Sequence, residues 1–331
     1  MTEPARPLPE PRGELSGATA EVLLKDPGSP LPVLAPGHEC DEDLLLALHT
    51  CYELHYHGFA DVDEDWEWDP GLLAWRAALE AVLLADLREH VPGGDDVHAE
   101  LDRLLTAPRT EPDIAGFLAE QGEPGHVREY FAHRSIYHHI EADPYAWVIP
   151  RLRGDPKAAL VAVEFDEFGG GRGENVHAQL YADLLTGAGL DSGYLHYLDD
   201  VGAPMLALVD MMSLFGLHRS LRAATVGHFA AVEISSSPAS RRLAEVVGDL
   251  LPHPDCVRFY TEHVEADAVH EQVMRHRVID GLLAADPAHA AGIVFGIQAT
   301  DLLESRFTDH VLGAWQQGRS SLRSDRLLSK R

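Results

Sequence analysis

From Asp41 onward, apolar residues recur every three or four positions, the spacing that places them on one face of a helix. The segment DEDLLLALHTCYELHYHGF shows this pattern first, and WDPGLLAWRAALEAVLLADLREHV repeats it. In the second segment Asp69 is placed to cap a helix and Pro70 stands at the first helical position. The sequence PGGDD then precedes a shorter helical pattern, VHAELDRLL. We therefore expect paired helices in the N-terminal third of the chain.

Beyond the polar link PRTEPD, one helical pattern follows another almost to the end of the sequence. They cover residues 125–141, 155–168, 174–186, 201–233 with a break, 238–250, 255–284 and 288–315. Strand-like alternation between turns is absent from the sequence. The sequence therefore predicts an all-α protein.

The two ends of the chain differ in composition from this helical region. Residues 1–38 are rich in Pro and Gly with little apolar periodicity, and residues 319–331 are locally basic. We predict a flexible arm over 1–38, an N-terminal helical extension over 39–112, a main helical domain over 113–318 and a flexible basic tail over 319–331.

Composition narrows the class of protein. The chain has 331 residues, of which 45% are hydrophobic, so it can bury a sizeable core. Its formal charge of −28 disfavours nucleic-acid binding, which depends on Lys and Arg neutralising phosphates. Its three cysteines lack CxxC spacing, and no apolar run is long enough to span a membrane. We expect a cytoplasmic protein with reduced thiols and neither nucleic-acid nor membrane partners.

The segment RFYTEHVEADAVHEQVMRHRVIDGLL carries the most informative pattern. Its stripe along one helix face is apolar at both ends and polar in the middle: Phe259, His263, Asp267, His270, Met274, Val278 and Leu282. Buried without partners, the two histidines and the aspartate would cost several kcal/mol of folding free energy. They must therefore pair with one another, with water or with a cation. Imidazole and carboxylate ligands without thiolate suit iron, manganese or zinc.

Other segments offer further ligands for such an ion. Glu233 continues the apolar stripe of its helix just before the sequence SSSP, where the helix is expected to stop and a cation would relieve the negative end of the dipole. The flexible Gly run at 169–171 would let Glu167 converge with His177. Glu174 is a rival, since its E-x2-H spacing with His177 matches that of helical carboxylate sites. Periodicity alone makes Glu141 a capping or surface acid.

Six segments together resemble the haem-oxygenase-like di-metal oxidase and oxygenase superfamily, in particular its actinobacterial iron-containing redox enzyme branch. They are LHYHGF with WEWDP, HRSIYHHIEADPYAWVIPRL, DEFGGGRGENVH, GHFAAVEISSSP, HVEADAVHEQV and VLGAWQQGRSSLR, and they extend over about residues 40–323. The intervals E-x25-E-x9-H-x55-E-x29-H-x3-D-x2-H also agree with nitrogen-oxygenating members. This resemblance favours Glu167 over Glu174 and adds Glu141 to the ligands.

The resemblance implies a seven-helix haem-oxygenase-like core that holds two iron ions and no haem. Glu167 and Glu233 would bridge the ions. The implied metal ligands are Glu141, Glu167, His177, Glu233, His263, Asp267 and His270. Oxygen would be the co-substrate and an external reductant the electron donor, although an Fe/Mn pair remains open.

The implied reaction is oxidation of a small amine or amino acid in specialised metabolism, with N-oxygenation favoured by the extra carboxylate Glu141. C–H desaturation, C–C cleavage and a metal-binding protein without turnover remain the alternatives. Arg134 and Arg172 could clamp a substrate carboxylate, or they could be ion-pair partners of nearby acids. A homodimer is plausible by the same resemblance.

Overall fold

The computed structural model describes residues 5–106 and 113–324, apart from the side chains of Thr106, Glu265, Asp267 and Ala268. These residues form helices and no β-strand, which confirms the predicted all-α class. The α-helices are α1 (Glu14–Leu23), α2 (Glu42–Glu53), α3 (Pro70–His90), α4 (Val97–Thr106), α5 (Ile114–Gln121), α6 (Pro124–His138), α7 (Asp143–Ala146), α8 (Gly154–Glu167), α9 (His177–Gly187), α10 (Ala203–Leu217), α11 (Arg222–Leu250), α12 (Pro254–Val273), α13 (Asp280–Ala285) and α14 (Ala290–Trp315).

Helix α11 packs extensively against both α12 and α14. Glycines allow α11 and α14 to approach closely, since a Cβ at Gly227 would collide with the Ile293 carbonyl and one at Gly296 with the Ala224 carbonyl. Helix α11 thereby presents its other side to α12, and the candidate site forms between those two helices.

Helix α10 joins the N-terminal helices to this core. Its residues from Met205 to Gly216 are all buried, and they include Asp210, which pairs with His49 of α2 at 3.0 Å. Burial raises the pKa of Asp210 to about 6, against the opposing attraction of His49. The hydrophobic core runs without interruption from α2 through α10 to α14.

Both predicted flexible ends contain docked structure, so those two predictions need correction. Helix α1 lies inside the predicted arm 1–38, and Leu15 and Leu23 on it are buried. The flanking Pro and Gly concealed its short apolar stripe in the sequence. Within the predicted tail 319–331, the backbone N–H of Ser321 donates to Glu129 at 2.5 Å and Arg323 pairs with Glu42 at 2.9 Å. Residues 1–4 and 325–331 of these segments lie outside the described residues.

The predicted helix stop at SSSP is wrong, because α11 continues through Pro238. Proline lacks the N–H that would bond the Ile234 carbonyl, which usually interrupts a helix. The hydroxyl of Ser235 donates to the Ala231 carbonyl at 2.7 Å, so this serine lies along the helix with its side chain turned back onto the preceding turn. Glu233 is therefore inside a long helix, and the expected contribution of a helix end at this carboxylate does not apply.

Among the described helices, none is by itself both long and apolar enough to cross a membrane, although the bent pair Pro254–Ala285 and Pro287–Trp315 would satisfy that criterion jointly by length and composition.

Candidate metal centre

The polar stripe predicted on α12 faces the protein interior. Phe259 is 1% exposed, His263 6% and His270 2%, and Met274 is fully buried. Asp267 lies on the same helix, but its side chain is outside the described part of the structure. Two imidazoles are thus held where a core-facing helix normally places aliphatic side chains.

Just after His270 the helix widens into a π-helical segment, Met274–Ile279. In an α-helix of 3.6 residues per turn, each four-residue step drifts sideways by roughly 40°. The wider π turn reduces this drift, which keeps Met274, Val278 and Leu282 buried in line with the histidines. The prediction of one helix over 255–284 with a single buried face is therefore confirmed. The observed helix differs from it in one respect, the π-helical winding at Met274–Ile279.

The Gly run brings Glu167 and His177 together, as the sequence predicted. Glu167 is the last residue of α8 and His177 the first of α9. Gly169 has φ +74°, and a Cβ there would lie 2.6 Å from the backbone nitrogen of Val176. Only glycine allows this tight reversal, which places Glu167 Oε2 2.7 Å from His177 Nδ1.

Six predicted ligands form two buried trios. One trio is Glu141, His177 and His263, and the other is Glu167, Glu233 and His270; within each, one ligand atom per residue lies within 4.8 Å of the others. In the second trio, His270 Nδ1 lies 3.1 Å from Glu233 Oε2 and 3.5 Å from Glu167 Oε1. Because its other oxygen approaches His177, Glu167 connects the two trios.

This arrangement fits metal ions. His177 Nδ1 is buried and, among the described residues, makes no hydrogen bond although Glu167 Oε2 is 2.7 Å away. Two donor atoms that share one ion at about 2.1 Å each lie about 3 Å apart at a right angle, close to the observed separation. A cavity of about 10 Å³ borders Glu141, Glu167, Glu233 and His263, room for roughly one water-sized occupant. Nitrogen and oxygen donors without sulfur suit iron.

Glu141 belongs to the site and is not a surface acid. It is 7% exposed and sits in the turn between α6 and α7, since α6 ends at His138 and does not extend to residue 141 as predicted. His138 Nδ1 lies 2.9 Å from Glu141 Oε2, and His263 Nε2 lies 3.9 Å from the same oxygen. Burial alone would raise the pKa of Glu141, but the attraction of His138 and His263 holds that pKa well below its usual range.

Sequence reasoning missed His138. Its ring packs 4.4 Å from the ring centroid of Tyr181 and 4.9 Å from that of Phe259, and this packing fixes the nitrogen that faces Glu141. The H-x2-E spacing of His138 and Glu141 was the available signal, but no apolar periodicity drew attention to it.

The other candidates lie elsewhere. Glu174 is exposed in the loop before α9 and joins neither trio. Arg134 forms a two-pronged ion pair with Glu304, at 2.8 and 2.5 Å, and lies over the ring of Phe307. Because its fork is already engaged, Arg134 is a structural ion-pair partner, which corrects its assignment to the substrate. Arg172 is exposed in the loop between α8 and α9.

The sequence of this chain matches a known protein family. The model of the family described as iron-containing redox enzyme matches residues 128–305, which contain every residue of both trios. A nitrosourea synthase from Streptomyces achromogenes subsp. streptozoticus is 27% identical over 158 residues, which cover 46% of this chain. The match spans 32% of that synthase, about a third of its length. The chain belongs to the iron-containing redox enzyme family and is an oxidoreductase with an all-α, haem-oxygenase-like fold.

Proposed function

We propose that this protein is a non-haem di-iron, O2-dependent oxygenase that oxidises the nitrogen of a small amine or amino acid. The observation that carries the proposal is the pair of buried trios joined by the two oxygens of Glu167, at 3.5 Å from His270 and 2.7 Å from His177. A single ion would use one trio, whereas a shared carboxylate between two trios is the arrangement that two ions require.

Each trio would hold one iron. Glu141, His177 and His263 would bind the first ion and His270 the second, and Glu167 and Glu233 would be shared between them, as the resemblance implies. Asp267, whose side chain is not described, is assigned to the site by the resemblance of its motif. Bound Fe(II) would supply electrons to O2, and an external reductant would restore them.

The protein's own contribution is to position the ligands and exclude water. Tyr145 stacks on Phe229 at 3.9 Å between ring centroids, and both rings border the cavity between the trios. Tyr145 in turn lies in hydrogen-bond contact with His228 at 3.0 Å, and His228 with Thr300 at 2.7 Å. This buried network fixes the wall of the cavity, so the oxidising site is shielded from bulk water.

N-oxygenation is supported by Glu141 and by the matched relative. Glu141 adds a further carboxylate to the centre, the feature that the superfamily resemblance associates with nitrogen-oxygenating members. The family match covers it, and the synthase that resembles this chain is named for a nitrogen-containing product. In the net reaction one oxygen atom of O2 would join the amine nitrogen, and the other would leave as water with two electrons and two protons from the reductant.

The test combines iron analysis with an isotope experiment. Protein loaded anaerobically with Fe(II) should bind two irons per chain, and reduced protein exposed to ¹⁸O2 with a panel of small amines and amino acids should give a product with ¹⁸O on nitrogen. Glu141→Gln should lower formation of this product at least tenfold, whereas the exposed Glu174→Gln should not.

Products of other kinds would contradict N-oxygenation. A product that has lost two hydrogens without gaining ¹⁸O would show desaturation, and a cleaved product would show C–C oxidation. Oxygen consumption that ends once the bound Fe(II) is oxidised, whichever organic compound is added, would identify a metal-binding protein without turnover. Binding of one iron per chain would remove the di-iron centre itself.

A further inference from the structure

Glu164 is a second buried glutamate of α8, one turn before Glu167. Its side chain is 2% exposed, and neither carboxylate oxygen has a hydrogen-bond partner among the described residues. Buried carboxylates are normally paired, because an unsatisfied charged group deep in a protein costs several kcal/mol. The fold therefore holds two acceptor atoms in its interior with nothing described to satisfy them.

A metal ion of the proposed centre does not explain Glu164. Among the described residues, neither trio of potential metal-binding atoms includes Glu164. Structural ion pairing does not explain it either, because no cationic side chain of the described residues pairs with this carboxylate.

The charges around Glu164 are predominantly negative. Burial first, and then repulsion from Glu167 and Asp143, raise the pKa of Glu164 to about 9, with only partial relief from His270. A cationic group with N–H donors would favour the ionised form of this carboxyl group and would donate to both of its oxygens, which have no hydrogen-bond partner among the described residues.

We propose that Glu164 is the substrate-binding residue that accepts the protonated nitrogen group of an amine or guanidine beside the metal centre. This inference rests on the proposed function and specifies its substrate class as cationic. Glu164 lies one helical turn from Glu167, the carboxylate shared by both trios, so a nitrogen group held here lies close to the site of oxidation. Charge and N–H donors on the substrate, and not a substrate carboxylate, would be what the site recognises.

The test measures binding by anaerobic calorimetry to Fe(II)-loaded protein, with probe pairs that differ in one cationic group. L-Lysine is compared with L-norleucine, which lacks the side-chain ammonium, and L-arginine with L-citrulline, whose urea is a neutral isostere of guanidinium. We expect the cation of at least one pair to bind at least tenfold more tightly than its neutral partner. Glu164→Gln should abolish this difference, and the exposed Glu120→Gln should preserve it.

A melting experiment separates substrate binding from a structural role. Without substrate, Glu164→Gln should melt at the same or a higher temperature than the wild-type protein, because it replaces a buried carboxyl group that has no hydrogen-bond partner among the described residues. A lower melting temperature for this variant, with Glu164→Met behaving alike, would show structural pairing and overturn the proposal. So would equal binding of cationic and neutral probes by the wild-type protein, or an unchanged preference in Glu164→Gln.

The two proposals fail in different ways. Loss of charge preference in a protein that still binds two irons and transfers ¹⁸O would remove the role of Glu164 alone. Failure to bind two irons would remove the proposed function, whichever probes bind.

Discussion

At the scale of single residues, the ability to predict a site residue depended on whether it interrupted an apolar stripe. His263 and His270 stood out because they occupy positions of α12 where aliphatic residues belong, and both are buried. Glu164 follows the same rule, since it shares a face with Leu160 and Glu167, but the many acids of that segment concealed it. His138 had no such pattern, because its role depends on a turn that brings Glu141 back towards it.

Glu167 is the residue whose loss should affect both ions. Glu167→Ala removes both oxygens of the shared carboxylate, and even residues that only orient metal ligands typically change affinity 10–100-fold. We expect Glu167→Ala to weaken iron binding by at least about tenfold at both positions, measured by anaerobic Fe(II) titration. The control is Glu174→Ala, which changes the exposed alternative ligand candidate and should bind Fe(II) as the wild-type protein does. Equal losses of iron affinity in the two variants would contradict the assignment of Glu167.

At the scale of elements, most helices were predictable from spacing, but their ends and interruptions were not. The stop expected at SSSP failed because α11 packs along α12 and α14, and a local sequence pattern does not show this packing. Helix α1 was missed because its ten residues stand among Pro and Gly, and its stability depends on packing that a local pattern does not show. The convergence of Glu167 and His177 was predictable, since a short loop that contains the Gly run joins their helices.

Glycine at position 169 should be essential for that convergence. Gly169→Ala introduces a Cβ at φ +74° and 2.6 Å from the Val176 nitrogen, so α8 and α9 cannot keep their present junction. We expect a loss of about 1–3 kcal/mol in stability together with weakened iron binding, followed by chemical denaturation and iron titration. Gly173→Ala is the matched control in the same loop, because its φ is not positive and its Cβ would meet no atom within 4 Å. Comparable iron binding in the two variants would argue against a role for the reversal.

At the scale of the whole molecule, the buried histidines should make the fold sensitive to acid. Burial first, with repulsion from His310 and Arg134, lowers the pKa of His133 to about 3, and burial lowers that of His228 to about 4. The unfolded chain, with histidine near 6.5, therefore binds more protons than the folded chain between these values. Stability should fall as the pH drops below about 6.5, by about 2 kcal/mol for each of these residues at pH 5.

The acid sensitivity is measurable by urea denaturation of the metal-free protein between pH 7.5 and 5. His133→Gln should reduce the slope of stability against pH over this range, whatever its effect on absolute stability. His98→Gln serves as the control, because the His98 side chain is 69% exposed. A slope that is the same in all three proteins would mean that His133 titrates normally in the folded state.

The π-helical segment after His270 has a consequence for aligning sequences of this family. A π turn accommodates one residue more than the α-helical turn it replaces, so a relative without that residue can retain an ordinary helix there. An alignment should then place a one-residue gap within 274–279, downstream of every residue in the two trios. The intervals from Glu141 to His270 would be preserved across such a gap, while the apolar positions from Val278 onward would shift by one.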